Sequence, residues 1–301
     1  MPTGQREYKD RLFNYIFGNE ENKAWTLELY NAVNESKYSD PSKIEINTIR
    51  EVLYMGMHND MSFLIAEEMN LYEQQSTFCP NIPLRMLQYA GNLYEKFLEE
   101  RGFNKYGRRL IPLPVPKLIV FYNGRDPKDD ETILRLSDSF PEGSVPDIEV
   151  TVRMLNINHG RNQKLLDLCR PLKEYAWLMQ QIRAYIDEGM ETVEAINRAI
   201  RETPDEYVLK PFLVAHKTEV SGLLLTEYDE AKQMELFRRD GIEEGKEIGR
   251  EEGREEGSKK ATDLINYLWS HGRSEDAMRA SSDPPFLQKL LAEFAGITPA
   301  K

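Results

Sequence analysis

The chain has 301 residues, 40% hydrophobic and 30% charged, enough for a sizeable core in one large or two modest domains. No apolar run nears the roughly 20 residues that span a bilayer, and MPTGQREYKD lacks the apolar stretch of a signal peptide. Two distant cysteines, Cys79 and Cys169, argue against disulfide stapling, so a reducing cytoplasm is expected.

The net charge of −12 is unevenly spread. Residues 1–125 hold 15 Lys and Arg against 16 Asp and Glu, whereas the rest hold 24 against 35. A polyanion site is therefore expected in the first half.

Residues 7–34 have helical spacing in Leu12, Phe13, Ile16 and Phe17, then Trp25, Leu27, Leu29 and Tyr30, with a break at Gly18-Asn19. KIEINTIREVLYMG (43–56) alternates as a strand does, and NDMSFLIAEEMNLYEQQST (59–77) follows as a hairpin. Residues 81–102 form an amphipathic helix. PVPKLIVFYNG (114–124) is an unbroken apolar run of the kind that is buried on both faces of a sheet, and a further strand is expected within 148–158.

Beyond Asn158 the pattern is helical: one long helix over 163–189, bent near Pro171, then helices over 191–202 and 205–220. Within the charged tail, Gly241, Gly245, Gly249, Gly253 and Gly257 recur every fourth residue. That stripe winds slowly around a helix. It is either a solvated, marginal helical linker or a self-association seam. Residues 261–296 show three short apolar-periodic segments, a small helical appendage rather than a DNA-reading helix-turn-helix.

The hairpin poses the chemical question. Side chains two apart share a face, so Asp60, Ser62 and Leu64 form one row and Met69, Leu71, Glu73 and Gln75 another. An even-numbered loop gives cross-strand partners whose numbers sum to 133 or 135, with Asp60 opposite Glu73 or Gln75. An odd loop or a bulge would split them. Two converging carboxylates share a proton or bind a cation, and a few hard oxygen ligands suit Mg²⁺. Gln75 would orient a water or donate to a phosphate, but it supplies no positive charge. Acids at strand ends are also common on solvent-facing hairpins, so spacing alone leaves both readings open.

The order helix, three strands carrying D…E-x-(K/Q), helix and strand is similar to the core of PD-(D/E)XK nucleases. KDRLFNYIFG (9–18), LYNAVN (29–34), YMGMHNDMSFLI (54–65), LYEQQST (71–77), NIPLRMLQYAGNLYEKF (81–97) and LIVFYNG (118–124) resemble one branch, the Rpn-type recombination-promoting nucleases, also called YhgA-like and often labelled transposases. LNINHGRN (155–162), CRPLKEYA (169–176), LTEYDE (225–230) and the EEGREEG-type tail extend the resemblance over most of residues 8–260.

The resemblance implies an α/β (α+β) chain. A restriction-endonuclease-like core would occupy 7–160, a helical extension packed on it 161–225, the charged glycine-repeat helix or linker 226–260, and the appendage 261–301. It implies a Mg²⁺-dependent (or Mn²⁺-dependent) DNA endonuclease, with Asp60, Glu73 and Gln75 catalytic. The metal would be held by Asp60, Glu73 and the backbone carbonyl of Gln74. Family members usually have His where Gln74 stands, on the face away from the metal.

Arg85 and Tyr89, one helical turn apart, are candidates for phosphate contact, Arg85 equally for a pair with Glu73 or Asp60. His58, Lys105, Arg108 and Arg109 are further candidates for DNA contact. Asp10 is read as an N-cap or an acid contributed by the first helix. No membrane partner is expected, and double-strand cutting by a single-site nuclease would favour a homodimer. The alternative is a catalytically inactive nuclease fold that binds nucleic acid or forms oligomers, which Gln in place of the more general Lys and the missing His would suit.

Overall fold

The computed structural model describes residues 11–46 and 61–294. The chain runs α1 (Leu12–Phe17), α2 (Lys23–Asn34), β1 (Glu45–Ile46), β2 (Met61–Ile65), β3 (Glu68–Gln75), α3 (Ile82–Arg101), β4 (Val115–Tyr122), β5 (Glu131–Arg135) and β6 (Thr151–Asn156). It continues through α4 (Gln163–Leu168), α5 (Arg170–Asp187), α6 (Thr192–Glu202), α7 (Leu209–Ala215), α8 (Lys217–Ser270), α9 (Ser274–Ser282) and α10 (Pro284–Phe294). It divides within α8 into two compact units, residues 1–231 and 232–301. Among the described residues no helix is long and apolar enough to cross a membrane.

The first unit is α/β, built on a mixed six-stranded sheet of order β1-β2-β3-β4-β6-β5. β1, β2 and β3 pair antiparallel, β4 lies parallel to β3 and to β6, and β5 closes the edge antiparallel to β6. Both faces are covered, and the strands alternate accordingly. Leu71, Val120 and Met154 turn to one face, where Met86 and Leu93 of α3 pack with them. Tyr72, Phe121 and Leu155 turn to the other, against Phe13 of α1, Leu29 of α2 and Leu172 and Tyr175 of α5. The apolar run of β4 is buried on both sides in its last four residues, as its sequence predicts.

Three elements depart from expectation. The helix foreseen over 163–189 is broken rather than bent: Cys169 is extended, and Pro171 sits in the first turn of a new helix. There its missing N–H costs nothing, whereas a continuous helix would lose a bond and meet the carbonyl of Asp167. The stretch 205–220 yields α7, a turn at His216 and then α8, one helix of 54 residues that includes the glycine repeat. β5 is a strand where none is expected, an edge strand with three of its five residues exposed. The expected strand over 43–56 is described only at Glu45–Ile46, and residues 47–60 lie outside the described residues.

The second unit has a small core of its own in which Leu264 and Leu268 of α8 meet Ala277 and Ala280 of α9 and Leu290 of α10. The Tyr267 ring stacks on His271 at 3.9 Å and meets Phe294 edge-on at 4.9 Å.

Two predictions test the packing. Ala66, in the turn between β2 and β3, has φ of 53°, a region that an alanine enters at a cost. Ala66→Gly should raise stability to urea by about 0.5–1 kcal/mol. Cys169 is fully buried, and desolvation pushes its thiol well above the ordinary range, while Cys79 is half-buried. One equivalent of thiol reagent should label the native protein, at Cys79, and a second only in denaturant.

Candidate functional site

Strand β3 carries the site, and the hairpin turn decides which way it faces. Met61 pairs with Tyr72, Ser62 with Leu71 and Leu64 with Met69. The loop between them is the two residues Ala66 and Glu67. The loop is therefore even, and the residue numbers of each pair sum to 133. Even-numbered residues of β2 and odd-numbered residues of β3 consequently share a face, the one covered by α3. Glu73 and Gln75 lie on it, each 4% exposed. This excludes the solvent-facing reading of these two residues. Asp60, which immediately precedes Met61, lies outside the described residues, as do His58 and Asp10.

Burying a carboxylate is costly unless charge and hydrogen bonds compensate. Here α3, whose first turn follows the hairpin, brings Arg85 to Glu73, with Nη2 2.9 Å from Oε1. Gln75 Nε2 donates to the same oxygen at 3.3 Å. That bond fixes the orientation of the amide, since its oxygen turned to the carboxylate would be repelled. Gln75 Oε1 is left buried with no hydrogen-bond partner among the described residues. Arg85 donates to Tyr89 Oη from Nε (3.3 Å) and Nη2 (3.0 Å), the one-turn spacing that the sequence predicts. Burial works against the Arg85 charge, but the Glu73 carboxylate and the Tyr89 hydroxyl outweigh it, so the guanidinium is held above its ordinary pKa. The arrangement is a partly buried cation and an amide donor in contact with one buried anion.

Gln74 points to the opposite face, as strand alternation requires, and anchors a second polar cluster there. Its Nε2 donates to Asn123 Oδ1 at 2.5 Å. Arg11 donates to Gln74 Oε1 at 3.0 Å and also to the Gln74 backbone carbonyl, the atom the resemblance assigns to metal. Asn123 Nδ2 donates to Tyr175 Oη at 3.2 Å, and Arg183 donates to the Asn123 carbonyl. Glu227, within LTEYDE, accepts from the backbone N–H of Leu12 at 2.6 Å. It thereby satisfies an otherwise orphaned donor at the start of α1.

Lys105, Arg108 and Arg109 do not converge on this site. They are exposed in the loop that follows α3, whose last residue, Arg101, lies 16 positions and so about 24 Å along the helix from Arg85. Lys105 pairs instead with Glu95 at 2.5 Å. Among the described residues no three His, Cys, Asp or Glu side chains cluster as a metal site would. Sequence reasoning missed Arg11, Asn123 and Arg183. The only hint was that Asn123 follows the apolar run of β4 directly, at the strand end where α/β sheets bind ligands.

The chain matches no protein-family model, no curated protein and no solved structure.

Removing Arg85 would take a cation from the buried Glu73 carboxylate. With the Arg85 side chain 42% exposed, Arg85→Met should cost about 2 kcal/mol, below the loss seen for fully buried pairs. Urea titration checks this, and the Glu73→Gln/Arg85→Met double variant should lose less than the sum of the single ones.

Proposed function

We propose that the chain is a metal-dependent DNA endonuclease that hydrolyses phosphodiester bonds, with a restriction-endonuclease-like core of the recombination-promoting type. The observation that carries this is the burial of Glu73 and Gln75 side by side on one face, with the amide oxygen of Gln75 lacking a described partner. A buried acceptor beside a buried carboxylate fits a cation or the water bound to one. The register supports it too: in a ladder whose sums are 133, position 60 stands opposite position 73 if the pairing continues one residue further. The meander of β1, β2 and β3, followed by α3 and the parallel strand β4, agrees with the resemblance in the sequence.

On this reading Asp60 and Glu73, with the Gln74 carbonyl, would hold Mg²⁺ or Mn²⁺. When bound, the cation supplies Lewis acidity at a phosphoryl group and favours deprotonation of the attacking water. Gln75 Oε1 accepts a hydrogen bond from that water and aims it. The Gln75 amide is itself pinned through its nitrogen to Glu73. Arg85, whose outer edge is exposed, supplies the positive charge that a lysine in place of Gln75 would have brought to a phosphate. Tyr89 fixes the plane of that guanidinium.

A second reading, a nuclease fold without catalysis, is favoured by one observation. Two guanidiniums already engage the groups that would bind metal: Arg85 at Glu73 and Arg11 at the Gln74 carbonyl.

Purified protein with supercoiled plasmid and Mg²⁺ separates the two. Nicking is expected, falling about 100-fold or more in Asp60→Ala and Glu73→Ala and less in Gln75→Ala. Cleavage unchanged in both acid variants would discard the site. Absence of Mg²⁺ and Mn²⁺ binding by calorimetry would establish the second reading.

A further inference from the structure

A cleft of about 1000 Å³ opens beyond the carboxyl ends of β4 and β6, the end of the sheet at which β3 presents Glu73 and Gln75. The two surfaces are joined by the backbone. Gln75 pairs with Tyr122, and the next residue, Asn123, donates its N–H to the Gln75 carbonyl at 3.0 Å. Gly124 then packs so closely on the end of β3 that a Cβ there would stand 2.5 Å from the Ser76 carbonyl. β6 lies two strand spacings from β3, about 10 Å.

Two cations of this cleft, Arg183 and Lys128, meet neutral partners. Arg183, on α5, has neutral hydrogen-bond acceptors: Asn158 Oδ1 at 2.7 Å and the Asn123 carbonyl. One turn on, Asp187 takes a two-pronged bond from Arg125, at 2.8 and 3.0 Å. Two guanidiniums therefore share one carboxylate. Arg125 first, with help from the Arg183 charge, holds the Asp187 carboxyl below its ordinary range. Lys128 Nζ sits 3.8 Å from the centroid of the Phe78 ring, a neutral partner. Arg161 pairs with Asp130 at 2.9 Å. Asp126 and Asp129 also line the cleft, so with Asp130 four acids accompany its four bases.

We propose that this cleft holds the phosphate backbone of the substrate strand beside the scissile bond. This rests on the endonuclease reading above. Arg183 and Lys128 supply the charge, and Arg125 turns from Asp187 towards phosphate, an acceptor of the same geometry. Interactions of this kind set register on the duplex and carry no sequence preference.

The test is fluorescence anisotropy of a labelled duplex with the full chain in EDTA, over a range of salt. Lys128→Glu and Arg125→Gln should each weaken binding about tenfold and lower the salt slope by about one for each phosphate no longer neutralised. Lys105→Glu, in the loop after α3, should leave it unchanged. Arg183→Gln is a third variant, read only if its circular dichroism matches wild type. Duplex binding that Lys128→Glu and Arg125→Gln leave intact overturns the proposal, as does no binding at all. Displacement of the duplex by inorganic phosphate at low millimolar concentration also overturns it, since the site would then take a small phosphate rather than a strand. Weakened binding in the cleft variants without Mg²⁺-dependent cleavage would uphold the cleft and reject the endonuclease.

Discussion

Strand β3 is covered on both faces, so its two-residue period sends alternate side chains into two separate interiors. Glu73 and Gln75 enter the layer beneath α3, and Gln74 enters the layer beneath α1 and α5. A slip of one residue would exchange these sets, leaving Glu73 among aromatic side chains and Gln74 beside Arg85. The apolar partners of β3, Leu71 on one side and Tyr72 on the other, differ enough in size to oppose such a slip. The two-residue turn and the parallel pairing with β4 hold the same register from either flank.

The two polar layers meet at the carboxyl end of the sheet, where backbone atoms of β3 and β4 pass from one cluster to the other. Each cluster has an arginine at a partly buried position, Arg85 above and Arg183 below, and oxygen acceptors face each of them. Low local dielectric strengthens such bonds and raises the cost of leaving any member alone. These groups are therefore fixed more firmly than surface charges of the same kind, such as the cluster at Lys105, Arg108 and Arg109.

Much of this was legible in the sequence because it is local. The alternation in 59–77, the double-sided burial of 118–122, the Arg85–Tyr89 spacing and the break at Gly18 all depend on residues a few positions apart. β5 was not legible: ETILR is short and edge-placed, and its exposed side chains dilute the apolar signal. Nor were the pairings of Arg11 with Gln74, 63 residues apart, or of Arg183 with Asn123, 60 apart, since no periodicity links them. The basic cluster after α3 stood out in the sequence by its density, and the length of α3 sets it apart from Arg85. The role of Asp60 rests on the expected continuation of the ladder, as that residue lies outside the described residues.

The glycines of α8 have a mechanical consequence. A Cβ at Gly245, Gly249, Gly253 or Gly257 would meet nothing within 4 Å, and every residue from 248 to 260 is exposed. Each glycine costs about 1 kcal/mol of helix stability relative to alanine, and no described side-chain packing returns it. The backbone amides of this stretch should thus exchange with solvent far faster than those of either hydrophobic core. Proteases should cut there first, releasing the sheet and the small helical unit as separate fragments.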